Sequence, residues 1–351
     1  MEQNNSDVSK RKFPPVWFTR LGRWPPRPRA NRYATLGKMM MSSNALFTAR
    51  GVAYTFEKCT SISTPTLLIF CHANGFCKEV WRPIISLLGK QDSALRFDVL
   101  ALDLTGHGET TRPYAGEFSW DNLSLDVLSC IAARLDEGNA YENIVGIGHS
   151  IGAMAVMRAE ILKPGTFDGI MAIEPIVFPP PYKRNNESAL VDATLKRRSL
   201  FESKDTAFAR WRSKKAFQRW QPEALRAYAE GGLVETRDGF ALRCAPEFEA
   251  EIYSGTSDTY DHLPLLTART MVVGGTDSTH FRRLDELVVD ADYYCEHLSA
   301  RLPNAYPCQM LTGYTHFVPM ECPEKVAALI VHYFLRNSGD RHSEATPASR
   351  L

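Results

Sequence analysis

Asn143-Ile144-Val145-Gly146-Ile147-Gly148-His149-Ser150-Ile151-Gly152-Ala153 is the stretch on which the reading of this chain turns. Ile144 to Ile147 is a short apolar strand, and Ala153-Met154-Ala155-Val156-Met157 runs on as an apolar helix. Between them stands G-x-S-x-G at a strand-to-helix corner, the pattern that presents a serine on a sharp, exposed turn. Side chains at Gly148 and Gly152 would collide with the neighbouring strand and helix, which explains the spacing. Ser150 is thus a candidate nucleophile. The N–H of Ile151, at the start of the helix, is a candidate donor to a developing oxyanion. A G-x-S-x-G is also met as a plain glycine-rich turn, so the flanking sequence has to decide.

Outward from this corner, strand patterns alternate with helical ones. Phe47 to Phe56 alternates about Arg50-Gly51 and predicts an antiparallel hairpin at a sheet edge. Thr66 to Cys71 is a continuous apolar run, as expected of a strand covered on both faces, and Lys78 to Leu88 follows as a helix. Phe97 to Asp103 is another strand, and Ser119 to Leu135 a helix with Leu123, Val127 and Ile131 on one face. Downstream come strands at Gly169–Ile173, Thr270–Gly274 and Cys308–Leu311, with helices at Ala291–Leu302 and Pro323–Phe334. This alternation predicts an α/β fold with a mostly parallel, doubly wound sheet. His316, in the loop after the last strand, is the candidate general base. Two carboxylates at strand ends compete to orient it, Glu174 and Asp277. Each has a plainer role open to it as a turn residue.

Residues 179–266 break the pattern. They are polar, charged and helical in period, and at about ninety residues they exceed any ordinary connection, so they need structure of their own. We expect a helical cap inserted into a core formed by 41–178 and 267–336, and a lid that can be removed without loss of the core. Residues 1–40 are basic, rich in proline and almost free of acid, with Pro14-Pro15 and Pro25-Pro26 opposing a helix, and read as a disordered extension. Residues 337–351 read as a flexible tail. Its end, Ser349-Arg350-Leu351, is similar to the Ser-Lys-Leu address read by the peroxisomal import receptor.

Composition narrows the function classes. A net charge of +1 argues against a general nucleic-acid surface, and no apolar run approaches the roughly 18 residues of a membrane span. The cysteines are scattered singly, and several, such as Cys71 and Cys130, lie within apolar elements, which reads as buried reduced thiols.

From about residue 45 to 336 the chain resembles the α/β-hydrolase superfamily. The residues that carry this are the corner itself, Asp103-Leu104-Thr105-Gly106-His107-Gly108 after an apolar strand, and His72-Ala73-Asn74-Gly75-Phe76 after another. Within the superfamily it is similar to a fungal group: the peroxisomal acyl-CoA hydrolase of mycophenolic acid biosynthesis and related toxin-biosynthesis hydrolases. That closer likeness rests on Phe70 to Phe76 with Lys78-Glu79, Ile173-Glu174-Pro175-Ile176, Ala216 to Glu223, Asp238 to Cys244 and Glu249-Ala250-Glu251. The resemblance implies an acyl-enzyme hydrolysis of a small-molecule acyl thioester or ester by Ser150 and His316, without metal or organic cofactor. It implies an oxyanion hole from the N–H groups of Asn74 and Ile151, with His72 and His107 as structural histidines. It also favours Glu174 over Asp277, because the fungal group places its acid at the end of the strand after the corner. Two other readings share these residues: a ligand receptor with negligible turnover, and a carbon–carbon bond hydrolase.

Overall fold

The computed structural model describes residues 45–58, 65–90, 95–111, 118–186, 188–279 and 291–336. The described residues open with β1 (Leu46–Phe47) and β2 (Ala53–Lys58), which pair antiparallel at one edge of the sheet, as the alternating pattern predicts. There follow β3 (Thr66–Cys71), α1 (Arg82–Leu88), β4 (Phe97–Leu102), α2 (Asp121–Asp136), β5 (Asn143–His149), α3 (Ile151–Leu162) and β6 (Gly169–Ile173). The insertion contains α4 (Ala189–Leu195), β7 (Leu200–Phe201), α5 (Lys204–Arg212), α6 (Pro222–Gly231), β8 (Leu233–Thr236), β9 (Gly239–Leu242), α7 (Pro246–Ser254) and α8 (Thr259–His262). The core resumes with β10 (Arg269–Gly275), α9 (Ala291–Ala300), β11 (Gln309–Leu311), α10 (Val318–Glu321) and α11 (Pro323–Ile330).

The large sheet has eight strands in the order β1-β2-β4-β3-β5-β6-β10-β11, and from β4 to β11 every pairing is parallel. Alternation along β3 shows why the sheet is covered twice. Leu68 and Phe70 join an apolar cluster with Ile84 of α1 and Val326 of α11. Leu67, Ile69 and Cys71 point the other way, into a cluster with Leu123 of α2, Met154 of α3 and Leu298 of α9. Successive strand residues face opposite sides, so a run apolar at every position demands helices on both. Cys71 and Cys130 are buried free thiols.

The insertion differs from the all-helical expectation. β7, β9 and β8 form a three-stranded antiparallel sheet, with Thr236 paired to Gly239 across a tight turn at Arg237-Asp238. The signal was local: β-branched Val234 and Thr236, followed by Asp238-Gly239, are hairpin chemistry embedded in a charged helical context. The insertion is also less separable than a lid. Trp211, Trp220, Leu225 and Tyr228 belong to the same apolar cluster as Phe70, Trp81 and Ile84 of the core. The basic extension at 1–40 and the tail at 337–351 lie outside the described residues.

Register sets the height of the site. His149 on β5 pairs with Ile173 on β6, and Ile173 with Val273 on β10. The chain therefore leaves β5 at Ser150 and β6 at Glu174 at the level of Gly274 on β10, at the C-terminal ends of the parallel strands, where such sheets place their sites.

Candidate active site

Ser150 has φ +58° and ψ −121°, a backbone conformation that non-glycine residues rarely adopt. Hydrogen bonds from both sides hold it there: its N–H donates to the Ile173 carbonyl at 2.9 Å, and its own carbonyl accepts from Ile176 N–H at 3.3 Å. The flanking glycines are required by close approach. A Cβ at Gly152 would lie 2.4 Å from the carbonyl oxygens of Cys71 and His72, and one at Gly148 2.4 Å from the Cα of Ala153.

His316 faces this corner. Ser150 Oγ donates to His316 Nε2 at 3.1 Å, and His316 Nδ1 donates to Glu174 Oε2 at 3.1 Å. The carboxylate of Glu174 is fully buried, and its backbone also sits at positive φ, +49°. Gly275 N–H donates to Oε1 at 2.6 Å and Ser278 Oγ to Oε2 at 2.7 Å, so the carboxylate is fixed before it meets the ring. The glutamate side chain passes over the end of β10, where Gly275 has no room for a side chain: a Cβ there would lie 2.3 Å from the Tyr314 carbonyl oxygen. Asp277 does not join this chain of bonds. Its carboxylate is half exposed and pairs with Arg219 of the insertion at 3.0 Å. It sits beyond the strand end, where Glu174 already occupies the space facing the imidazole.

Three residues that the sequence did not single out position His316. His149, the variable residue of the corner motif, donates from Nε2 to the His316 carbonyl at 2.8 Å. Glu321 accepts from Thr315 N–H at 2.8 Å and from Thr315 Oγ1 at 2.6 Å. Ser278 steadies the acid. Only proximity in the fold reveals these, since each lies at a position where many residue types would satisfy the local pattern.

The N–H groups of Asn74 and Ile151 have no hydrogen-bond acceptor among the described residues, and both residues line the same cavity as Ser150 and His316. The loop carrying Asn74 is braced by the two structural histidines. His72 donates from Nδ1 to the Ala73 carbonyl at 2.8 Å and accepts from Leu104 N–H at 3.1 Å, while His107 Nε2 accepts from Gly75 N–H at 2.9 Å. Lys78, almost fully buried, ties the same loop to Asp103 at 2.7 Å and Glu109 at 2.9 Å. Burial pushes the His316 ring down to about 3, so at neutral pH it is an unprotonated base. Burial drives His107 down to about 3 as well, helped by the neighbouring His72.

The cavity measures about 1300 Å³. Core residues Asn74, Ser150, Ile151 and His316 form one part of its wall, and insertion residues such as Trp211 and Phe217 another.

Residues 68–329 match the model of the Alpha/beta hydrolase family. The chain belongs to that family. This alpha/beta hydrolase is 26% identical over 286 residues to protein phosphatase methylesterase 1 of Schizosaccharomyces pombe, covering 77% of this chain and 75% of that protein. It is 29% identical over 118 residues to the peroxisomal membrane protein LPX1 of Saccharomyces cerevisiae, covering 31% and 30%. The solved structure of the peroxisomal alpha-beta-hydrolase Lpx1 from the same yeast superposes with a TM-score of 0.67 at 19% identity, over 89% of this chain and 92% of that one. The thioesterase domain from the curacin biosynthetic pathway superposes with a TM-score of 0.58 at 18% identity, over 84% and 99%. At such identities the structural likeness establishes the fold alone.

Proposed function

We propose that this alpha/beta hydrolase is a serine hydrolase that cleaves a small-molecule acyl thioester or ester through an acyl-enzyme. The observation that carries the reading is the unbroken hydrogen-bonded run from Ser150 through His316 to Glu174. In the first half-reaction Ser150 Oγ attacks the acyl carbonyl as His316 Nε2 takes its proton, and the negative charge on the carbonyl oxygen is held by the N–H groups of Asn74 and Ile151. Glu174 fixes the Nδ1–H tautomer and stabilises the imidazolium. His316 then protonates the departing thiol or alcohol as its bond to the acyl carbon breaks. In the second half, His316 draws a proton from water, whose oxygen attacks the acyl-serine, and the acid leaves as Ser150 regains its proton.

The sequence relative named for methylesterase activity agrees with acyl transfer chemistry. We place residues 179–266 as a mixed cap that selects the acyl group, since it supplies much of the cavity wall. Within the family, the motifs at Phe70 to Phe76 and Ala216 to Glu223 favour the fungal acyl-CoA hydrolase group. For peroxisomal import through Ser349-Arg350-Leu351, the partial sequence likeness to the peroxisomal membrane protein LPX1 of Saccharomyces cerevisiae is the supporting comparison. A tagged chain should lose punctate localisation on deletion of Leu351; a cytosolic distribution of the intact chain would refute this address.

The test of the chemistry is a pre-steady-state burst from an activated aryl ester. Wild-type protein should release one equivalent of phenol per site in the burst, and Ser150→Ala none. Equal behaviour of the two would favour the receptor reading and end this one.

A further inference from the structure

We infer that the substrate carries an anionic group, a carboxylate or a phosphate, which cations of the insertion hold while the scissile carbonyl lies at Ser150. The inference rests on the serine hydrolase reading of the site. Lys196, Arg197, Arg198, Arg210 and Lys214 line the cavity that contains Ser150 and His316, against a single carboxylate among the described residues, Glu249. For a chain of net charge +1 this is a local concentration of one sign.

Away from the cavity, three arginines of the insertion are matched, Arg184 with Glu251 at 2.7 Å, Arg226 with Asp205 at 2.5 Å and Arg219 with Asp277 at 3.0 Å, while Arg212 donates to the Phe217 and Trp220 carbonyls. Inside it, Glu249 is committed to Arg197, which also donates to Tyr228 Oη at 3.2 Å. Lys196, Arg210 and Lys214 have no acidic partner among the described residues. Helix polarity accounts for part of this, since Lys196 follows α4 and Arg210 lies in the last turn of α5. It accounts for their place along the helix but not for their convergence on the cavity that holds the reactive serine.

Like charges gathered in a cleft with low-dielectric walls concentrate oppositely charged ligands there and speed their capture. The volume of about 1300 Å³ exceeds the roughly 300–1,000 Å³ of ordinary ligand pockets, which suits a substrate long enough to have one end at Ser150 and a charged group at the insertion. An anion on the acyl part or on the leaving group would satisfy the same cations.

Two matched pairs distinguish these sources. The first pair is a p-nitrophenyl ester with a terminal carboxylate and its methyl-capped neutral equivalent. The second is a thioester of a phosphorylated thiol and the same thioester without the phosphate. In at least one pair the anionic member should have a kcat/KM higher by roughly tenfold or more, with a marked decline in salt. The triple variant Lys196→Ala, Arg210→Ala, Lys214→Ala should collapse that ratio towards one, while Lys215→Ala, outside the cavity lining, should keep it. Ratios near one in both pairs, or a ratio the triple variant leaves intact, would overturn the inference while leaving the hydrolase reading untouched. Calorimetric titration of Ser150→Ala protein with pyrophosphate and with glutarate decides the point without turnover. Binding of either that the triple variant loses supports the inference, and binding of neither overturns it.

Discussion

Glu174 Oε2 lies 3.1 Å from His316 Nδ1, although the two residues come from strands' ends separated by β10. A glutamate spans that gap because β10 ends in Gly274-Gly275 and because Gly275 N–H and Ser278 Oγ hold its carboxylate. Asp277, nearer in sequence to the usual place of such an acid, is turned outward to Arg219. Glu174→Gln should therefore lower kcat by about 10³–10⁴-fold with the fold intact, through the wrong imidazole tautomer and the loss of imidazolium stabilisation. Asp277→Asn, which removes half of an exposed ion pair, should change kcat by no more than a few fold. A large loss in Asp277→Asn with little in Glu174→Gln would reverse the assignment.

His149 acts on His316 through the backbone. Removing its donor in His149→Phe takes this hydrogen bond from the His316 carbonyl and loosens the loop that aims the imidazole. A misplacement of about 1 Å costs on the order of 10²-fold in rate, so kcat should fall by roughly ten- to a hundredfold. His149→Gln, whose amide can still donate, should recover part of that loss. A Phe variant with lower melting temperature and unchanged kcat would reduce His149 to a packing residue.

The corner, the parallel core and the meeting of Ser150 with His316 could be read from sequence because each leaves a local trace: two close-approach glycines, runs apolar at every position, and a histidine after the last strand. The choice between Glu174 and Asp277 could not be made from spacing, since both follow strands that end on the same edge. Only the resemblance to the fungal group favoured Glu174, and the geometry now places it against the ring. His149, Ser278 and Glu321 left no trace at all, because their partners lie 167, 104 and 6 residues away and are fixed by loop geometry. The insertion's small sheet was legible at Asp238-Gly239 but was submerged in a segment whose average character is helical and charged.

The buried histidines predict how stability depends on pH. His316 and His107 are both pushed down to about 3 by burial, from an ordinary value of 6.5. Between pH 6.5 and 3 the unfolded chain therefore binds more protons at these sites than the folded one, so stability is full above 6.5 and declines as pH falls through that window. Each contributes a slope of up to about 1.4 kcal/mol per pH unit. Urea midpoints measured between pH 6.5 and 5, above the range of most carboxylates, should already fall, and the acid limb of kcat/KM should lie well below 6.5. A midpoint flat across that interval would show that these rings are protonated in the folded protein.

Deletion of residues 179–266 was the natural way to test a separable lid, and the packing argues that it should fail as a folding experiment. Trp220 and Tyr228 are each 1% exposed and both stack edge-on against Phe76 of the core, with ring centroids 5.1 Å apart. Trp220 also meets Phe317, next to His316, at 5.4 Å, and Tyr228 donates at 3.0 Å to the carbonyl of Gly75, in the loop that carries Asn74. Removing the insertion would bare Phe76, Trp81 and Phe317 together, an apolar patch of the kind that drives aggregation. The deletion should be insoluble or lack a cooperative transition. Trp220→Ala, which keeps the backbone, should cost about 3–5 kcal/mol in urea unfolding and lower kcat through the Phe317 contact. A deletion protein that unfolds cooperatively with a near-wild-type midpoint would restore the lid, and with it a core that folds without its cap.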